Sequence, residues 1–103
     1  MKSIIFLGRS LEALREFPSS AKRASGYELD KVQRGFDPKD WKAMPGLGPG
    51  VREIRIRIEG AWRVVYVANR SDAVYVLHAF QKKTQRTAKQ DIDSIKAALK
   101  ELK

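Results

Sequence analysis

Arg52-Glu53-Ile54-Arg55-Ile56-Arg57-Ile58, followed across Glu59-Gly60-Ala61 by Trp62-Arg63-Val64-Val65-Tyr66-Val67, is the stretch whose register decides the fold. Ile54, Ile56 and Ile58 alternate with Glu53, Arg55 and Arg57, the period of a strand with one buried face. A three-residue loop at Glu59-Gly60-Ala61, with Gly60 at positive φ, sets Ile58 opposite Trp62, Ile56 opposite Val64 and Ile54 opposite Tyr66. The reverse face then brings Arg57 opposite Arg63, with Arg55 beside Val65. A two-residue loop would oppose Arg63 to Ile56 and carry charge into the core, because a slip of one residue turns every side chain over.

The next hairpin extends the pattern. Asn69-Arg70-Ser71-Asp72 reads as a four-residue turn into Ala73-Val74-Tyr75-Val76-Leu77-His78-Ala79-Phe80. That register opposes Tyr66 to Tyr75, Val64 to Leu77 and Arg63 to His78. The second face of the sheet is then expected to carry Arg55, Arg57, Arg63, His78 and Lys82, with Val65, Val67, Val74 and Val76 further along. Gln81-Lys82-Lys83-Thr84-Gln85-Arg86 adds charge where the strand ends. Like charges directly opposite one another cost a few tenths of a kcal/mol to about 1 kcal/mol. Such a local violation points to function, with Glu53 and Glu59 the acidic neighbours within reach.

Working outward, Ile4-Ile5-Phe6-Leu7 before Gly8 reads as a first strand. Ser10 as cap, with Leu11, Leu14 and Phe17 at helical spacing, starts a helix that Pro18 ends. Ser19 or Ser20 caps a second helix running to about Arg34, with Leu29, Val32 and Phe36 as its stripe and Gly35 as terminator. Asp37 to Gly50, rich in Pro and Gly, reads as a loop pinned by Trp41 and Met44. Thr87 or a neighbour opens a last helix with Ile92, Ile95, Leu99 and Leu102 on one side. The expected fold is a single α+β domain over residues 1–103, in the order β-α-α-β-β-β-α, with an antiparallel sheet, a helical hairpin and a C-terminal helix.

At 103 residues the chain has room for one modest core. Twenty-one Lys and Arg against 12 Asp and Glu leave a net charge of +9, which calls for a polyanionic partner. The absence of cysteine excludes disulfides and thiolate metal sites, and one histidine cannot build a zinc site without several carboxylates around it. Gly46-Leu47-Gly48-Pro49-Gly50 lacks the spacing of a phosphate-binding loop, and Pro49 removes a donor. Ile4–Leu7 is too short for a signal peptide or a membrane span, so a cytoplasmic protein without a membrane partner is expected.

A cationic sheet face suits a phosphodiester, because the guanidinium fork binds two oxygens and keeps its charge when partly desolvated. RNA carries its own nucleophile, the 2′-hydroxyl. Aligning it, taking its proton and stabilising charge at phosphorus requires neither metal nor cofactor. Arg63, at the centre of the face, is the first catalytic candidate, with Arg55 beside it. His78, whose side-chain type titrates near working pH, is the acid–base candidate. Arg57, Lys82, Lys83 and Arg86 are candidate RNA ligands, and Phe80 can stack on a base.

Three segments carry a family resemblance: Arg52-Glu53-Ile54-Arg55, Trp62-Arg63-Val64-Val65-Tyr66, and Leu77-His78-Ala79-Phe80-Gln81-Lys82-Lys83-Thr84 leading into the last helix. Through them the chain resembles, end to end, the RelE/ParE toxin superfamily of type II toxin–antitoxin systems, above all its HigB-like, phage-associated branch. The resemblance implies a twisted antiparallel sheet beside a helical hairpin. It also implies metal-independent, ribosome-dependent cleavage of mRNA, inhibiting translation until a cognate HigA-like antitoxin binds. Arg63 matches the family's transition-state arginine, Arg55 a basic residue on the preceding strand, and Lys83 a basic residue after the last strand. Glu53 stands where the RelE pattern has lysine, and the C-terminal segment has no tyrosine. Two alternatives stay open: a non-catalytic ParE-like toxin that binds DNA gyrase, and a basic nucleic-acid-binding accessory protein.

Overall fold

Val64, Val65, Tyr66 and Val67 are each no more than 3% exposed, although consecutive strand residues point to opposite faces. Both sides of the sheet must therefore be covered, and this governs the architecture. The computed structural model describes residues 1–102. In chain order it contains β1 (Ser3–Phe6), α1 (Ser10–Arg15), α2 (Ser19–Gln33), β2 (Trp41–Ala43), β3 (Val51–Ile56), β4 (Trp62–Val67), β5 (Ala73–Gln81) and α3 (Lys89–Glu101). The strands form one sheet in the order β1-β5-β4-β3-β2.

One core lies under the hairpin of α1 and α2, where Leu14, Ala21, Leu29 and Val32 meet Ile54, Val64, Tyr66 and Val76. The other lies under α3, where Ile95 and Ala98 meet Val51, Val65, Val67, Leu77 and Phe80. The α+β class and the helical hairpin are as expected. The sheet is mixed rather than wholly antiparallel, because β1 runs parallel to β5, Ser3 beside Ala73 through Phe6 beside Val76. The chain reaches that edge only after α1 and α2 have carried it away from β1, so the parallel pairing is a long-range choice.

The expected loop from Asp37 to Gly50 contains a strand, since Trp41 pairs with Ile54 and Ala43 with Arg52. Three residues among prolines and glycines carry no period to reveal it. Trp41 is held by the Arg52 guanidinium, 4.0 Å from its ring centre, and Met44 packs against the α3-side core. At the helix starts, Arg9, Pro18 and Ala88 occupy the capping positions and no side chain caps. Ser10 instead donates to the Val76 carbonyl at 3.1 Å, and Ser20 to Glu59.

Both hairpin registers differ from expectation. Ile56 faces Trp62, Ile54 faces Val64 and Arg55 faces Arg63, two residues from the expected pairing. The connection is longer because Glu59 and Gly60 both take positive φ, at 54° and 125°, and the Trp62 indole N–H donates to the Ile58 carbonyl at 2.9 Å. A shift of two preserves the face of every paired side chain, so Ile54, Ile56, Trp62, Val64 and Tyr66 stay buried, while Ile58, beyond the last pair, is exposed. In the second hairpin Val67 faces Tyr75 and Tyr66 faces Val76, then the register breaks. Beyond the break Val65 faces His78, Val64 faces Ala79 and Arg63 faces Phe80. Leu77 is the extra residue of this bulge and turns into the α3-side core, not opposite Val64. Val74 and Val76 correspondingly lie on the hairpin side, not among the charges. No helix among the described residues is long and apolar enough to cross a membrane.

Tyr66 is wholly buried, and its hydroxyl meets no partner in hydrogen-bonding geometry. Burial pushes its phenol above the ordinary tyrosine range, an effect that the neighbouring Arg52 guanidinium, bonded to Asp37, only partly opposes. The folded chain thus keeps this proton at pH values where the unfolded chain loses it, so stability contributed by the neutral phenol falls as pH climbs past about 10. Tyr66→Phe should leave stability at pH 7 unchanged or raise it by about 1 kcal/mol, since an unsatisfied hydroxyl is removed. It should also flatten part of the alkaline decline, measured by urea unfolding across pH.

Candidate nucleic-acid interface

Residues two apart on a strand share a face, so Glu53 and Arg55 follow Val51 on β3, and Arg63 follows Val65 and Val67 on β4. The apolar part of this face lies under α3; the charged part continues beyond it. There Arg63 has Arg55 on one side and Phe80 on the other, a row crossing three strands. The expected partners of Arg63, namely Arg57 and His78, are replaced by these two: the longer β3–β4 loop brings Arg55, and a one-residue shift at the β4–β5 turn together with the bulge brings Phe80.

Arg63 is held, not free. Its Nε lies 3.3 Å from Glu53 Oε1, its Nη1 donates to the Trp62 carbonyl at 3.1 Å, and 11% of the side chain remains exposed. Glu53 is 4% exposed. The Arg63–Glu53 contact is an ion pair without hydrogen-bond alignment, so Arg63 Nε and Glu53 Oε2 both lack a hydrogen-bond partner. Burial lowers the Arg63 pKa; Glu53 opposes this, Arg55 and Arg57 add to it, and Asp40 opposes it weakly. Arginine stays charged through such a change.

Arg55 Nε donates to Asp40 Oδ1 at 3.0 Å, and its backbone N–H donates to the Asp40 carbonyl at 2.9 Å. Arg57 Nε is 3.6 Å from Asp40 Oδ2, with 70% of its side chain exposed. One carboxylate thus serves two guanidinium groups at the sheet edge. Arg57 lies past the last β3–β4 pair, so it flanks the row rather than belonging to it.

His78 is not brought to the arginines. It sits opposite Val65, its Nε2 is 2.8 Å from Asp91 Oδ1, and its ring stacks on Phe80 at 5.4 Å. With a carboxylate as acceptor, Nε2 carries the hydrogen, and the imidazole is turned towards α3. Phe80, Lys82, Lys83 and Arg86 do come together, around a cleft of about 410 Å³ between the end of β5 and the start of α3. Lys82 Nζ donates to Thr87 Oγ1 at 3.1 Å and its N–H to the Ala61 carbonyl at 2.8 Å, while Lys83 and Arg86 are exposed. Among the described residues no three His, Asp or Glu side chains converge as a metal site requires.

Sequence reasoning missed Asp40 and Asp91, the carboxylates that fix Arg55 and His78. Each lies more than ten residues from its partner, and neither has a spacing that signals it. Glu53 was within reach of the register argument, being two residues from Arg55 on the same face.

A mixed sheet with a helical hairpin on one face and a C-terminal helix on the other is consistent with a RelE-like fold. Residues 12–100 match the family described as Phage derived protein Gp49-like (DUF891), and the chain belongs to that family. The family is a RelE-like, toxin-like one of toxin–antitoxin systems. No curated protein matches the chain.

Removing one partner of a buried ion pair strands the other charge, at a cost of about 3–5 kcal/mol, whereas removing both is much milder. Glu53→Gln and Arg63→Met should each destabilise on that scale. The double variant should be more stable than the sum of the two predicts, by at least about 1 kcal/mol in urea unfolding.

Proposed function

We propose that this chain is the toxin of a type II toxin–antitoxin pair, of HigB-like character, and that it cleaves mRNA on the ribosome without a metal ion. The observation that carries the reading is the row Arg55–Arg63–Phe80, which runs from a guanidinium pair into the cationic cleft of Lys82, Lys83 and Arg86. A single RNA strand laid along it has its phosphate on the arginines and an adjacent base on the Phe80 side. Net charge of +9 supplies long-range attraction to such a strand.

In the reaction the 2′-oxygen bonds to phosphorus and gives its proton to a base. The 5′-oxygen leaves and takes up a proton, so a 2′,3′-cyclic phosphate and a 5′-hydroxyl result. Arg63, fixed by Glu53 and the Trp62 carbonyl, needs no reorganisation to meet the charge gathering on the phosphoryl oxygens. Arg55 positions the same phosphate from the neighbouring strand. His78 has a positioning role here, bracing Phe80 through the stacked ring, since its Nε2 is committed to Asp91. Partners under this reading are the ribosome, mRNA and a HigA-like antitoxin, all cytoplasmic.

Arg63→Lys tests the reading without stranding Glu53, because it keeps the charge and loses the planar fork. After induction in a bacterial host, mapped 5′ ends should show broken messages with the wild type. Cleavage by Arg63→Lys should fall by roughly 10²-fold or more. Lys83→Ala and Arg86→Ala should each weaken RNA binding and reduce its salt slope by about one. Growth arrest with intact messages and damaged DNA would replace this reading with a gyrase-directed toxin. Harmless induction would leave a nucleic-acid-binding accessory protein.

A further inference from the structure

The cleft between the end of β5 and the start of α3 gathers Lys82, Lys83 and Arg86 around one carboxylate, that of Asp91. Asp91 is the third residue of α3, where the helix dipole favours an anion. That accounts for its charge but not for its company. Its side chain is 16% exposed, and Oδ1 accepts from His78 Nε2 at 2.8 Å. Among the described residues none of the three cations pairs with it, and Lys82 turns its ammonium to Thr87 instead. Oδ2 is engaged by no hydrogen bond there. A carboxylate is thus held in place by a histidine, inside a cationic cleft, with one oxygen uncommitted.

An RNA strand entering this cleft brings groups of both kinds. Its phosphates suit the two lysines, the arginine and the first amides of α3, which no side chain caps. Phosphate is repelled by Asp91, so only a hydrogen-bond donor of the strand can rest there. The bases differ in the donors that they offer. Guanine sets N1–H beside its N2 amino group, with its O6 acceptor at the far end of that edge. Adenine and cytosine place a lone-pair nitrogen next to the amino group, and uracil flanks N3–H with two carbonyls. Guanine alone presents two adjacent donors to a group that only accepts. At about 410 Å³ the cleft has room for one unstacked base, with Phe80 as an apolar wall.

We infer that Asp91 selects guanosine in single-stranded RNA, its carboxylate accepting from N1–H and from the N2 amino group. His78 keeps the carboxylate turned to the base by holding Oδ1. The inference rests on the reading that RNA lies along Arg63, Phe80 and this cleft, but not on whether the strand is cut there.

The test is fluorescence anisotropy with the full chain and short oligouridine strands, each carrying one central guanosine, inosine, adenosine or cytidine. Inosine keeps N1–H and lacks the amino group. The guanosine strand should bind tightest, roughly tenfold or more above adenosine, with inosine between them. Asp91→Asn keeps the size of the side chain and an oxygen for His78, and it should erase that ranking. Lys83→Ala should weaken all four strands in equal measure and leave the ranking intact. An Asp91 that only braces His78 and α3 would instead give the Lys83→Ala pattern when replaced by Asn. The proposal falls on that result. It also falls if inosine binds as well as guanosine, or if the wild type binds all four alike, as a ribose hydroxyl resting on Asp91 would make it do. Melting curves check that Asp91→Asn is folded, and the wild-type ranking decides alone if it is not. Uncut message with the guanosine preference intact overturns only the nuclease reading; cut message without the preference overturns only this one.

Discussion

The structure depends on β4 being sandwiched. With Val64 and Tyr66 buried on one side and Val65 and Val67 on the other, the sheet needs two apolar covers, and the helices divide accordingly. Burial of this kind is worth roughly 1.5–3 kcal/mol per large aliphatic or aromatic side chain. On the second face the side chains turn from apolar under α3 to charged towards one end of the strands, with Glu53, Arg55 and Arg63. Arg63, the second residue of β4, stands at such an end. Arg63 is thus largely buried and anchored by Glu53 and the Trp62 carbonyl.

That position imposes an electrostatic condition. A guanidinium with so little exposure requires a carboxylate, and Glu53 supplies it from the adjacent strand. Neither Arg63 Nε nor Glu53 Oε2 gains a hydrogen bond, so the pair is imperfectly satisfied. Imperfect satisfaction in a buried pair makes it a weak source of stability. Asp40 and Asp91 act similarly at the margins, the first gathering Arg55 and Arg57 at the sheet edge, the second drawing His78 towards α3.

The bulge between β4 and β5 links these features. One extra residue at Leu77 lets a single strand serve both covers, with Val74 and Val76 under the hairpin and Leu77 and Phe80 under α3. Without it, alternation beyond Val76 would set Ala79 opposite Arg63 and turn Phe80 to the hairpin side. With it, Phe80 faces Arg63 and His78 faces Val65. A packing device thereby selects which side chain accompanies the central arginine.

Alternation of isoleucine with charge, the apolar stripe of the last helix and the surplus of cations were enough to determine the α+β class, the order of the long elements and the face on which Arg55 and Arg63 lie. They were enough because each rests on a period or a sum that neighbouring residues set by themselves. The gathering of Phe80, Lys82, Lys83 and Arg86 was legible for the same reason, as they are near one another in the chain. Tertiary structure alone decided the parallel β1–β5 pairing, the strand hidden at Trp41–Ala43, the exact partners across both hairpins, and the capture of His78 by Asp91. Those choices join residues far apart in sequence, or hinge on one bulge and one five-residue connection. Local periodicity fixes which face a side chain takes, but not which distant neighbour it meets there.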